Sequence, residues 1–241
     1  MIAHTKVVGS RELVPMYTTN PNVANPSGWC LPQPLKTGRT REEFRIDFWV
    51  ICDEEHAHLF SSNQRGEVLR IACPIDTFPH GFASAHEQVA IGPVRGETET
   101  GTWRLFEAQH VYRVKNIQRY FMLAECAYER RAPPGSRWLD STNRFLIGFT
   151  ADRLEGPWSR REGDAQTHWA TAEDLQTEEG QRPSYSLVSH PEIVRSGYDQ
   201  RLEIDDLDAV EMLFQTFDAS KIREDYQYDE LPWQWAVMRN H

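Results

Sequence analysis

Two acidic side chains stand where a β-rich sequence would ordinarily place apolar ones. Glu107 lies in LFEAQHVYRV beside Leu105, Phe106 and Ala108, and Asp47 lies in RIDFWVI between Ile46 and Phe48. A histidine, His190, opens the comparable run SHPEIVR. Two carboxylates and an imidazole at the floor of a polar pocket suit glycoside cleavage. One carboxylic acid, kept protonated by burial or a neighbouring negative charge, protonates the leaving oxygen while a second carboxylate activates water on the opposite face. Glu107 is the natural acid, because apolar surroundings raise a carboxyl pKa, and Asp47 could tune that acid or hold the sugar. The competing reading of Glu107 is an acid paired with an arginine at a boundary between repeats. For Asp47 it is a strand start held by turn hydrogen bonds.

His190 carries less information by itself. A lone histidine is commonly a hydrogen-bonded structural residue, and one imidazole does not make a metal site, yet it could complete the shell of a mostly hydrated central ion or hold an ordered water. Trp49, Trp103 and Tyr228 could stack on sugar faces or equally well pack between sheets. The chain has no Gly-rich phosphate loop, no serine elbow and no H-E-x-x-H motif.

The elements that must position these residues read as strands. Runs such as ELVPMYTT, DFWVIC, HAHLFSS, EVLRIAC, EQVAIG, RYFMLAEC, RFLIGFT, EIVRS, RLEID, VEMLFQTF and WQWAVM are short, rich in branched and aromatic residues, and bounded by Gly, Pro, Asn and Asp. Three segments share a layout in which a strand passes through a turn to a glycine and an aromatic before the next strand. They are MYTTNPNVANPSGWCLPQPL, RIACPIDTFPHGFASAHEQVAI and GFTADRLEGPWSRREG, with aromatics Trp29, Phe82 and Trp158. Glycine there permits a positive φ and the aromatic can cover the adjacent sheet. Such repetition suits the four-stranded blades of a β-propeller. Residues 47–91 and 107–163 would each supply four strands, 188–240 the last set, and 12–36 the outer half of a preceding blade. About three and a half blades are therefore visible. The first strand of each blade lies innermost, which predicts that Asp47, Glu107 and His190 converge near the axis.

Bulk composition narrows the partners. The chain has 241 residues, enough for one all-β domain spanning 1–241. A net charge of −10, from 26 basic and 36 acidic residues, leaves no basic face for nucleic acid. No window is apolar enough to span a bilayer, and MIAHTKVVGS lacks the basic start and apolar run of a signal peptide. Cys30, Cys52, Cys73 and Cys126 lack the CxxC pairing of a zinc or redox motif and read as buried small residues, with room for one disulfide.

The segments SGWCLPQPLKTG, IDFWVICDEEHAHLF, FPHGF, LFEAQHVYRVKNIQRYFMLAEC, FTADRLEGPW, SHPEIVR and DYQYDELPW, in this order, resemble glycoside hydrolase family 62 from about Glu12 onward. The resemblance implies a five-bladed β-propeller that removes arabinose side chains from arabinoxylan with inversion, usually secreted and so extracellular, and expected to act as a monomer. It implies that Glu107 is the general acid, that Asp47 tunes the acid and orients the substrate, and that His190 is the axial histidine associated with a bound calcium or water cluster. Tyr228 would match a tyrosine at the pocket edge.

Several departures from the family pattern stand out. The family's general base is an Asp on the innermost strand of its first blade, and this chain begins after that strand. A shortened chain with impaired activity is therefore expected. Ile147 and Gly148 stand where the family commonly has Arg and Ser, no acidic residue precedes His190, Pro191 replaces a glycine, and YERRAPPGSRWLDSTN is an insert. The alternative of a different class is a non-catalytic carbohydrate-binding propeller, and a third is an interaction propeller with no sugar ligand.

Overall fold

A computed structural model describes residues 1–6, 13–22, 24–38, 45–98, 101–129, 144–161, 168–221 and 230–239. Among these described residues strands dominate and form four sheets. The first holds β1 (Ile2–Lys6), β2 (Leu13–Tyr17) and β3 (Gln33–Pro34). In the second, β4 (Arg45–Cys52), β5 (His56–Asn63), β6 (Val68–Pro74) and β7 (Gln88–Ile91) follow one another across the sheet. The third is built from β8 (Arg95–Thr98), β9 (Gly101–Val114), β10 (Arg119–Glu129), β11 (Arg144–Ala151), β12 (Ser159–Arg160) and β14 (Glu203–Ile204). The fourth holds β13 (Ser189–Ile193), β15 (Glu211–Thr216) and β16 (Gln234–Arg239). No helix among the described residues is long and apolar enough to cross a membrane.

The four-stranded runs expected within 47–91 and 107–163 are β4–β7 and β9–β12. The sequence reading did not assign β1, which pairs with β2 to complete the first sheet. The RLEID run, expected with the last set at 188–240, instead supplies β14 and pairs in parallel with the end of β9 in the third sheet. Burial explains the strand choice. Met212, Phe214 and Thr216 of β15 are buried and alternate with half-buried Glu211, Leu213 and Gln215, the period of a sheet with one face on the core. In contrast, β11 has a near-continuous buried run from Arg144 to Phe149, because that sheet is covered on both faces.

The glycine–aromatic corners are less uniform than their sequences. Phe82 is fully buried and Trp158 meets the edge of Phe60, whereas Trp29 remains 40% exposed. Of the three corner glycines only Gly156 adopts positive φ, at 92°. The cysteines also divide: all four are unpaired, Cys73 and Cys126 are buried as expected, Cys52 is half-buried, and Cys30 is exposed.

β9 runs between β4 and β13. Trp49 Nε1 donates to the Val111 carbonyl at 2.9 Å, and the Ile193 N–H donates to Tyr112 Oη at 3.0 Å. Each of these three strands carries an extra residue against its partner beside the site, and β9 carries a second one just before Glu107. Ile46 and Trp49 face Ser62 and Phe60, Glu107 and His110 face Glu125 and Leu123, and Ser189 and Glu192 face Gln215 and Leu213. At each of these three bulges a non-glycine residue takes positive φ: Asp47 at 54°, Ala108 at 53° and His190 at 46°. Such a conformation costs on the order of 1–3 kcal/mol and persists where surrounding bonds hold it. A bulge bends the strand and re-aims a side chain, so the same device, used three times, turns three side chains out of the pleat toward one another.

Candidate active site

The predicted convergence is present, although Glu107 lies midway along β9 and not at its start. Ligand-type atoms of Asp47, Glu107 and His190 all lie within 4.8 Å of one another. His190 Nε2 is 4.0 Å from Asp47 Oδ2 and 3.9 Å from Glu107 Oε1. The three side chains differ in depth: Glu107 is 7% exposed, Asp47 19% and His190 31%. Glu107 therefore forms the floor and His190 the more open wall. Asp47 Oδ2 accepts the Ala108 N–H at 2.8 Å, and its carbonyl accepts from Gln109 Nε2, so each of the first two bulges holds the other.

Three further residues, which the sequence reading did not single out, complete the floor. Arg144 Nη1 on β11 donates to Glu107 Oε1 at 2.8 Å, to Glu125 Oε1 on β10 at 2.6 Å, and to Ser189 Oγ on β13 at 3.2 Å. Ser189 Oγ donates to Glu125 Oε2 at 2.9 Å, and the His190 N–H reaches the same oxygen at 2.9 Å. The signal for Glu125 was in the sequence: it is a carboxylate inside YFMLAEC, as anomalous as Glu107 inside LFEA. Nothing in the sequence marked Arg144 as its partner.

The arginine-paired reading of Glu107 is thus also met, and it does not conflict with the acid role. One guanidinium serves both Glu107 and Glu125, with Asp47 alongside. Burial first, then the negative charge of Glu125 and, more weakly, that of Asp47, push the Glu107 carboxyl up to about 8 against the opposing pull of Arg144. At neutral pH Glu107 therefore carries a proton that it can donate.

The aromatic candidates fare differently. Trp103 is only 4% exposed, edge-on to Phe145 at 5.4 Å with the Arg160 guanidinium over its ring. It packs in the core and does not line the site. One face of Trp49 is covered by His110, stacked at 4.1 Å, whose burial drives its own pKa down to about 3. Tyr228 and most of the insert, residues 130–143, lie outside the described residues.

As a cation site the axial trio is partial. It offers one imidazole nitrogen and two carboxyl groups, whereas calcium takes six to eight oxygens. Glu107 Oε1 already receives Arg144 and Asp47 Oδ2 already receives Ala108. The set fits a hydrated ion or water held at His190 Nε2 and does not fit a carboxylate cage. A second group, Asp53, His58 and Glu155, also brings ligand atoms within 4.8 Å. Arg70 Nη1 lies 2.9 Å from His58 Nδ1. A guanidinium only donates, so Nδ1 accepts and Nε2 carries the ring hydrogen toward Asp53 Oδ2 at 2.9 Å. That neutral ring has no lone pair left for a metal, and the cluster ties β5 and β6 to the turn bearing Glu155.

The chain is similar to known proteins along most of its length. Residues 9–239 match the model of glycosyl hydrolase family 62. Alpha-L-arabinofuranosidase C of Cellvibrio japonicus (strain Ueda107) is 29% identical over 201 residues, covering 83% of this chain and 28% of that protein. The chain thus spans little more than a quarter of the length of this curated relative. The catalytic domain of the Coprinopsis cinerea GH62 alpha-L-arabinofuranosidase superposes with a TM-score of 0.72 at 25% identity, covering 94% of this chain and 68% of that one. An alpha-L-arabinofuranosidase from Podospora anserina, solved with cellotriose, gives 0.70 at 27% identity, covering 94% and 67%.

Proposed function

The chain belongs to glycosyl hydrolase family 62, with the β-propeller-like fold of that family, and we propose that it removes α-L-arabinofuranosyl side chains from arabinoxylan with inversion. The observation that carries this reading is the Glu107 carboxyl, buried beside Glu125 and Asp47 and raised to about 8. In the proposed step Glu107 gives its proton to the glycosidic oxygen as the bond from that oxygen to the anomeric carbon breaks. A water oxygen bonds to the anomeric carbon from the opposite face and loses a proton to a base carboxylate. Asp47 is too close to be that base. The two carboxyl groups of an inverting pair stand about 6.5–9.5 Å apart to admit a water, whereas Asp47 and Glu107 belong to a cluster spanning 4.8 Å. Asp47 is assigned to tuning the acid and orienting the sugar, and the base must lie outside this cluster.

The same reading assigns His190 to the axis as the holder of a hydrated calcium or ordered water, which would supply a fixed positive or polar point for the sugar hydroxyls. Tyr228 is retained as the pocket-edge contact, and the protein is proposed to be a single-domain extracellular monomer. The test is arabinose release from arabinoxylan, followed by chromatography, with Glu107→Gln alongside. Release that the substitution abolishes supports the assignment, and release unaffected by it rejects Glu107 as the acid.

A second reading, favoured by the ion pairs that Arg144 makes with Glu107 and Glu125, is a carbohydrate-binding propeller without turnover in which these carboxyl groups are structural. Binding of arabinoxylan fragments with no product, unchanged by Glu107→Gln, would support it.

A further inference from the structure

We propose that Glu125 is the positioning residue of this site: through Ser189 it fixes which nitrogen of His190 faces the axis, and through the His190 N–H it holds the bulge that aims the ring. The proposal deepens the functional reading above and depends on it only for the catalytic consequence.

Glu125 is fully buried, and both of its oxygens are used as acceptors. Ser189 Oγ lies 2.9 Å from Glu125 Oε2, 2.8 Å from His190 Nδ1 and 3.2 Å from Arg144 Nη1. A hydroxyl has one hydrogen and two acceptor lone pairs. The Glu125 oxygen takes that hydrogen, the guanidinium donates into one lone pair, and the other lone pair is left for Nδ1. In the neutral ring Nδ1 therefore carries the hydrogen and donates it to Ser189 Oγ. Nε2 is left with its lone pair, directed at the space shared with Asp47 Oδ2 and Glu107 Oε1. The axis thus receives an acceptor nitrogen, able to take a water hydrogen or a cation, because a carboxylate two atoms away from the ring has set the tautomer. This is how outer partners generally orient a functional histidine. The second bond, from the His190 N–H to Glu125 Oε2 at 2.9 Å, pins a residue whose φ of 46° an ordinary side chain disfavours.

The test is long-range proton–nitrogen correlation on the full chain labelled with 15N-histidine, at pH 8 where an ordinary imidazole is neutral, with His190 assigned by loss of its signals in His190→Gln. The wild-type ring should show a protonated Nδ1 and a lone-pair Nε2. Ser189→Ala should lose that single tautomer while keeping the backbone bond, and Glu125→Gln should lose both the tautomer and the bulge geometry. A wild-type ring protonated on Nε2, or an unaltered tautomer in Ser189→Ala, overturns the proposal, and the serine variant decides the matter if Glu125→Gln does not fold. Arabinose release should also fall about 10–100-fold in Glu125→Gln. A wild-type protein without turnover would count against the functional reading, while the tautomer result would still stand or fall by itself.

Discussion

Glu107 and Glu125 sit opposite each other on β9 and β10 and take hydrogen bonds from one nitrogen, Arg144 Nη1, at 2.8 and 2.6 Å. A single positive charge between two buried carboxyl groups cannot offset both when a third, Asp47, stands alongside. The outcome is that the Glu107 carboxyl is held well above its ordinary value by burial and by its acidic neighbours, and so kept as an acid.

Replacing Glu107 by Gln removes the proton and keeps an oxygen for Arg144. Arabinose release should fall by about 10²–10⁴-fold, the usual worth of a general acid. Aryl arabinofuranosides with good leaving groups, which need little protonation, should lose far less. Equal losses on both substrates would point to a packing role instead.

The raised Glu107 carboxyl also links stability to pH. Its folded value of about 8 lies above the ordinary 4.5, so its stabilising contribution is complete below pH 4.5 and is lost as pH rises toward 8. Melting temperatures of wild type and Glu107→Gln, measured from pH 5 to 8.5, should show a steeper decline for wild type. Parallel curves would mean that Glu107 ionises normally.

Asp47→Asn removes one of the charges that hold Glu107 protonated while leaving an oxygen for the Ala108 N–H. The alkaline limb of the pH–activity profile should move to lower pH. A limb that stays in place would confine Asp47 to its structural bond with β9.

Trp103, packed in the core against Phe145, provides a control. Trp103→Ala should destabilise the fold by about 3–5 kcal/mol, as emptying a large aromatic site does, without changing affinity for arabinoxylan fragments. Urea unfolding and calorimetric titration would separate these effects, and a selective loss of affinity would return Trp103 to the site.

Much of the architecture was legible because it depends on short-range pattern. Strand identity follows from branched and aromatic runs between turn residues, and the grouping of β4–β7 and β9–β12 follows from their order. β1 was not legible as a strand, and RLEID was legible as a strand but not as a member of the β9 sheet, since a short strand takes its place from a partner distant in the chain: Tyr17 for Ile2, and Arg113 for Glu203.

The sequence by itself marked Asp47, Glu107 and His190 as a converging set, because an ionisable residue in an apolar run demands a reason, although β9 begins at Gly101 and so carries Glu107 at mid-strand. Only the tertiary structure decided what surrounds them. Arg144 meets Glu107 across 37 residues and Glu125 meets Ser189 across 64, and the three bulges that turn the side chains inward arise from pairing registers that no local pattern encodes. Whether a carboxyl group is an acid or half of an ion pair depends on the sum of burial and neighbouring charge. That sum exists only once the sheets have packed.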